Sequence, residues 1–345
     1  MVSTRLATAA LAGLGVLLLA PLTAAPAAGP APVTMVGQLL MTSMPGTTPT
    51  ATFLARIRAG QIGGVVLYSN NIGTAGPGAL VAQLQAVASA GGQPPLLIAV
   101  DQEGGIVKRL PGAPTLAPPK MTSVTVARSQ GLATALNLKR NGIDVDLAPV
   151  LDVGHGGFIT PRTFGLDAAD VANRATAFAQ GLAQGGVLAT GKHFPGLGYA
   201  PVNTDNGASI VSASRVALLT DLMPYQRAIA AGLPIVMVST AVYPRLGAEI
   251  PAACARRIVG GLLRGELGFQ GLVITDDLNT PGIQHYFSTP DAAVRAIGAG
   301  VDMVIATGSS GTAVYSALAT AVRSGQLPAG VVAAAYARVL ALKTK

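Results

Sequence analysis

Seven short apolar runs recur along this chain, and nearly all of them are unbroken: "GGVVLYS" (63–69), "PLLIAVD" (95–101), "IDVDLAPVLDV" (143–153), "GVLATGKHF" (186–194), "PIVMVST" (234–240), "GLVITDD" (271–277) and "VDMVIAT" (301–307). A strand with one wet face alternates apolar and polar residues. A continuous apolar run must be buried on both faces, as in a parallel sheet covered by helices. Between the runs lie Ala/Leu-rich stretches such as "DVANRATAFAQGLAQGG" and "AACARRIVGGLLRGELG", each closing on Gly, a common residue just past a helix C-terminus. Seven or eight such units in series from residue 35 predict a single (β/α)8 barrel, with a doubly wound open sheet as the alternative. No Ser/Pro-rich linker interrupts them, so residues 35–345 are expected to form one domain. Half of the 345 residues are hydrophobic, which is ample for one large core. The closing "YARVLALKTK" reads as a helix with basic residues in its last turn, where they complement the helix dipole.

The first 30 residues, "MVSTRLATAALAGLGVLLLAPLTAAPAAGP", carry one Arg, a long apolar stretch and then small residues and prolines. This predicts a secretory signal peptide with A-x-A-like cleavage near Ala25 to Ala28, and hence an extracytoplasmic protein. The apolar stretch is near the length of a membrane span, so a retained anchor is the alternative. The only cysteine, Cys254, cannot form an internal disulfide, which leaves stability to the core. The formal charge of +8 favours anionic polymers such as cell-envelope material. Nucleic acid is not expected, because no Lys/Arg run or aromatic-interleaved basic stretch is present.

In a barrel, side chains at the C-terminal ends of the strands line the active site. Here those positions are repeatedly polar: Asp101, Asp152, Lys192 with His193, Ser239, and Asp276 with Asp277. Any one of them could merely cap the following helix, but five strands ending this way point to convergence on one pocket. In "DQEGGIVKRL" (101–110) the two glycines would let backbone approach a ligand closely. It lacks the G-x-G-x-x-G and Walker lysine of nucleotide loops. Arg109 and Arg162 are candidates for hydrogen-bonding sugar hydroxyls or a carboxylate through the planar guanidinium fork. Three His, one Cys and no close His/carboxylate spacing argue against a metal site, and no cofactor is implied. A Ser-His-Asp hydrolase is disfavoured by the lack of a G-x-S-x-G elbow.

The segments "GGVVLYSNNI", "DQEGGIVKRL", "GIDVDLAPVLDV", "RTFGLD", "GKHFPGLG", "LMPYQRAIAAGLPIVMVSTAVYP", "LLRGELGFQGLVITDDL" and "AIGAGVDMVI" occur in this order. Together they resemble the barrel domain of glycoside hydrolase family 3, and most closely its NagZ-like β-N-acetylhexosaminidase branch, over roughly residues 35 to 343. The resemblance implies a retaining, two-step hydrolysis of β-linked N-acetylglucosamine, with cell-wall fragments as a source of substrate and a monomeric enzyme. It makes Asp276, the first Asp of the "TDDL" motif, the nucleophile, and maps sugar binding onto Asp101, Arg109, Arg162, Lys192 and His193. Asp277 is expected to orient the loop or cap the next helix.

One stretch departs from the branch. Its members run K-H-F-P-G-H-G and then D-S-H, where the last His is the general acid/base. This chain has "KHFPGLGYAPVNTDNG", with Leu197 at the first loop His and Asn206–Gly207 after Asp205. Three readings follow. Asp205 serves as acid/base from a mobile loop, protonated with the help of an apolar pocket and the nearby Asp276. His155 or His285 supplies the proton from another strand-end loop. Or proton transfer is missing, and the protein is a weakened, carbohydrate-binding member of the family. A β-glycosidase of different sugar specificity is a further alternative, since the altered loop borders the leaving-group side.

Overall fold

A computed structural model describes residues 1–2 and 31–344. All but the first two residues of the expected signal peptide, 1–30, lie outside the described residues. From Ala31 onward the chain forms one compact unit. Eight parallel strands close into a barrel: β1 (Leu40–Thr42), β2 (Gly64–Leu67), β3 (Leu97–Val100), β4 (Val145–Asp146), β5 (Leu188–Phe194), β6 (Ile235–Val238), β7 (Leu272–Asp277) and β8 (Met303–Ile305). Each pairs with its neighbours in sequence, and β1 pairs with β8 to close the ring. The predicted (β/α)8 barrel is the observed fold. The strand not anticipated from the apolar runs is β1, only three residues long and preceded directly by a 3₁₀ turn, Val36–Leu39.

Strand residues such as Val65, Ile98, Val236 and Val273 are fully buried, as continuous apolar runs demand. Helices cover the barrel and start at side-chain caps. Asp167 accepts from the N–H groups of Ala169 and Asp170 to open Ala168–Gln184, and Ser288 accepts from Asp291 to open Thr289–Ala299. The stretch read as helical around residues 252–268 is instead a 3₁₀ turn, Ala252–Cys254, followed by a wide π-helix, Arg257–Glu266. At the N-terminal end of the barrel, Asp302 holds Arg264, Arg338 and the Val273 N–H together at 2.6–2.9 Å. There Lys343, in the last turn of the final helix, turns inward. Its amine donates to Gln38 Oε1 (2.6 Å) and the Gly63 carbonyl (2.7 Å). Burial, with no acid partner among the described residues, pushes it down to about 7.

Two strands carry an irregularity at the opposite, C-terminal end. Between β5 and β6 the pairing passes from Gly191↔Val236 to Phe194↔Val238, so β5 holds one extra residue at Lys192–His193. Between β7 and β8 it passes from Ile274↔Met303 to Asp277↔Ile305, one extra residue at Thr275–Asp276. At the second site Thr275 Oγ1 accepts the Ile305 N–H, replacing a ladder bond. Such bulges re-aim side chains that regular pleating would send to alternate faces.

Candidate active site

A cavity of about 610 Å³ opens at the C-terminal end of the barrel. Asp101, Arg109, Arg162, His193, Asp205 and Asp276 all line it, joined by Tyr68, Phe158, Asn203, Asn206 and Asp277. Of the residues assigned to sugar binding or catalysis, Lys192 is set behind the wall. Its side chain is 2% exposed, and its amine donates to Asp101 Oδ1 (2.6 Å) and lies 2.8 Å from Glu103 Oε1. Asp152 and Ser239 also stand behind the wall. Asp152 accepts from the backbone N–H groups of His193 and Leu197, and Ser239 Oγ accepts from the Ala241 N–H. Neither caps the helix that follows its own strand: Asp152 braces the end of β5 and its loop, and Ser239 the turn two residues on.

An ion network fixes one side of the cavity. Arg162 grips Glu103 through two parallel bonds, Nε–Oε2 at 2.9 Å and Nη2–Oε1 at 2.7 Å. Arg109 reaches Asp101 at 3.4 Å and lies 5.7 Å from the centre of the Tyr68 ring. Burial alone would push Asp101 up, but Lys192 and Arg109 more than offset it and hold it at about 2. The same competition holds Glu103 below its ordinary value, with burial opposed by Lys192 and Arg162. Burial would lower Lys192, yet Asp101 and Glu103 raise it. All three therefore stay charged across the physiological range. His193 places Nδ1 2.8 Å from Asp152 Oδ2. With the Nδ1 proton donated to Asp152, Nε2 faces Arg162 Nη2 at 3.4 Å.

Glu103 was not singled out from the sequence, although the signal was present. It follows Asp101 by two residues in an extended segment, and residues i and i+2 share a face. Tyr68 was missed because it reads as the end of an apolar run. Burial, and then Asp101, Asp277 and Asp276, keep its phenol protonated. The glycines of "DQEGG" do not approach the cavity. Gly104 and Gly105 take positive φ (97° and 63°) to turn a hairpin between Gln102–Gly104 and Val107–Lys108. A Cβ on Gly104 would collide with the Leu116 carbonyl oxygen.

Across the cavity, β7 ends in the carboxyl pair. Asp276 Oδ1 accepts the Asp277 N–H at 2.8 Å. Burial raises Asp276 above the usual carboxylate range, helped by Asp205. His193, the Asp277 N–H and Lys192 pull the other way. Asp277 ties the strand end to its neighbour, accepting from the N–H groups of Asn279 (2.9 Å) and Thr307 (3.2 Å) and from the Thr307 hydroxyl.

Asp205 is exposed, not enclosed by apolar side chains. Its N–H donates to Asn203 Oδ1 (3.1 Å), and Asn203 Nδ2 donates back to Asp205 Oδ2 (3.3 Å). The loop is also tethered rather than loose. The Gly282 N–H donates to the Thr204 carbonyl at 3.0 Å, and the Val242 N–H to that of Ser209 at 2.9 Å. Gly282 belongs to the short helix Pro281–Gln284 that follows β7, and a Cβ there would sit 2.7 Å from Thr204 O. The segment after the nominated nucleophile thus sets the height of the nominated acid. Neither alternative histidine lines the cavity. His155 pairs with Asp221 at 2.8 Å and stacks on Tyr199 at 3.7 Å, and His285 packs edge-on against Tyr286.

The profile of the "Glycosyl hydrolase family 3 N terminal domain" matches residues 34–342. The chain belongs to glycosyl hydrolase family 3. It is 34% identical over 339 residues to a secreted glycosyl hydrolase of Arthroderma benhamiae, covering 93% of this chain and 96% of that one. Among solved structures of family 3, it is similar to the β-N-acetylhexosaminidase of Beutenbergia cavernae. That match has a TM-score of 0.84 and 34% identity over 91% of this chain and 99% of the other. The β-N-acetylglucosaminidase of Paenibacillus sp. FPU-7 gives a TM-score of 0.87 and 32% identity. There 90% of this chain matches, spanning 62% of the Paenibacillus chain.

Proposed function

We propose that this family 3 protein is a retaining glycoside hydrolase that removes β-linked N-acetylglucosamine, as the names of the Beutenbergia and Paenibacillus relatives indicate for those proteins. The observation that carries the mechanism is the placement of Asp276 and Asp205 on one cavity, with the Asp205 loop bonded to the helix that follows Asp276. Asp276 attacks the anomeric carbon while Asp205 protonates the departing oxygen. The C–O bond to the aglycone breaks and an ester to Asp276 forms. Asp205, now a carboxylate, takes a proton from water, which cleaves the ester and restores both groups. Retaining pairs stand ~5 Å apart, so substrate binding has to bring the two carboxyls to about that separation. Asp101, Arg109, Arg162 and His193 hold the sugar hydroxyls, and Lys192 acts through Asp101 and Glu103.

The protein acts outside the cytoplasm as a monomer, on amino-sugar glycans such as cell-wall fragments. The Arthroderma relative is called secreted, and the charge of +8 suits an anionic envelope. The exposure of Asp205 favours a second reading, a glycan-binding protein with weakened turnover. Incubation with a chromogenic N-acetyl-β-glucosaminide separates the two. Turnover, with a mechanism-based fluoro-sugar labelling Asp276, supports the hydrolase. No turnover alongside micromolar binding of chitooligosaccharides supports the binder.

A further inference from the structure

One fully buried carboxyl has no part in the reaction above. Asp146, on β4, accepts the Gln102 N–H on Oδ1 at 3.0 Å, and its Oδ2 meets no partner. The charged groups facing it are Lys192 from β5 and, from the segment after β3, Asp101 and Glu103. Lys192 is already divided between those two acids. A third carboxylate here would have one oxygen without a donor and two negative neighbours, an arrangement the interior strongly disfavours. The protonated acid is the form that fits. Burial pushes Asp146 up to about 8, outweighing the Gln102 N–H and Lys192.

Gln102 is what Asp146 holds. Its Oε1 accepts from the N–H groups of Arg109 (3.0 Å) and Leu110 (2.9 Å), while Nε2 donates to the carbonyls of Leu110 (2.9 Å) and Ala113 (2.8 Å). Asp101 and Glu103 flank it in sequence. One residue thus fixes where both acids and Arg109 stand, and Asp146 fixes that residue.

We propose that Asp146 is a positioning residue, held as a neutral carboxylic acid, that sets the Gln102 hairpin and whose ionisation imposes an alkaline limit on substrate binding. The kinetic readout rests on the glycosidase reading, so a second readout is independent of it. The first measures kcat/KM from pH 5 to 10 with a 2,4-dinitrophenyl N-acetyl-β-glucosaminide. Its leaving group needs no proton, which removes Asp205 from the profile. Wild type loses about tenfold per pH unit above 8, chiefly through KM. Asp146→Asn keeps an acceptor oxygen for Gln102 and cannot ionise, so its profile stays flat there. Asp146→Ala loses the acceptor, and its kcat/KM is lower than that of the Asn variant at every pH.

The second readout is thermal unfolding. Between the ordinary aspartate range and about 8 the folded protein binds the extra proton, so the wild-type Tm falls relative to Asp146→Asn as pH rises through that window. Above it the two curves run parallel. An alkaline limb that persists unchanged in Asp146→Asn overturns the positioning role. Melting curves parallel from pH 5 to 8 overturn the neutral acid. Wild type without turnover overturns the glycosidase reading instead, and leaves the melting comparison to decide on Asp146.

Discussion

Lys192 and Asp205 belong to one continuous segment, yet their surroundings could hardly differ more. The Lys192 amine lies between two buried carboxylates, and its strand is bulged into place inside a closed barrel. Asp205 stands in solvent on an arch, its carboxylate contacted by a single Asn203 amide. The first half of the segment is positioned by charge pairs in low dielectric, where each partner is costly to remove. The second is positioned by backbone tethers at Thr204 and Ser209. Under the proposed mechanism, sugar recognition falls to the charge-paired half and proton transfer to the tethered arch.

Substitutions test that division in decreasing order of effect. Asp276→Asn removes the nucleophile and should lower kcat on the order of 10⁴-fold or more, the scale seen when an enzyme loses its nucleophile. Asp205→Asn should cost ~10²–10⁴-fold with a poor leaving group and almost nothing in the first step with a dinitrophenyl glycoside. Equal losses with both substrates would remove Asp205 from the acid role. Glu103→Ala strands Arg162 and deprives Lys192 of one partner. We expect a destabilisation of about 3–5 kcal/mol in urea unfolding. Gly282→Ala pushes a methyl group against the Thr204 carbonyl, so the loss should appear with poor leaving groups, leaving the melting temperature within a few degrees of wild type.

The smallest effect tests the far end of the barrel. Folding depresses Lys343 to about 7, so the unfolded chain binds more protons between about pH 7 and the ordinary lysine range. Stability should rise by about 2 kcal/mol from pH 7 to 9 through this group, and that increment should vanish in Lys343→Met.

What the sequence revealed follows the same division. Unbroken apolar runs disclose a barrel because burial on both faces excludes polar residues, and Asp101, His193 and Asp276 were legible as polar residues ending such runs. Glu103 and Asp146 were not. Nothing local separates a carboxylate that closes an ion network from one that a loop exposes, because the difference lies in partners far along the chain. The tether at Gly282 was equally hidden, since a glycine beside Pro281 reads as a turn until Thr204 is found against it.

The two bulges carry an evolutionary consequence. At His193 and Asp276 the direction of a side chain depends on a one-residue offset between neighbouring strands, so a single-residue deletion there would turn the side chains that follow away from the cavity. Asp205 sits on an arch where length and composition can drift without disturbing any ladder. Under the proposed mechanism, a barrel built this way can change its proton donor, and with it its leaving groups and working pH, while keeping its nucleophile.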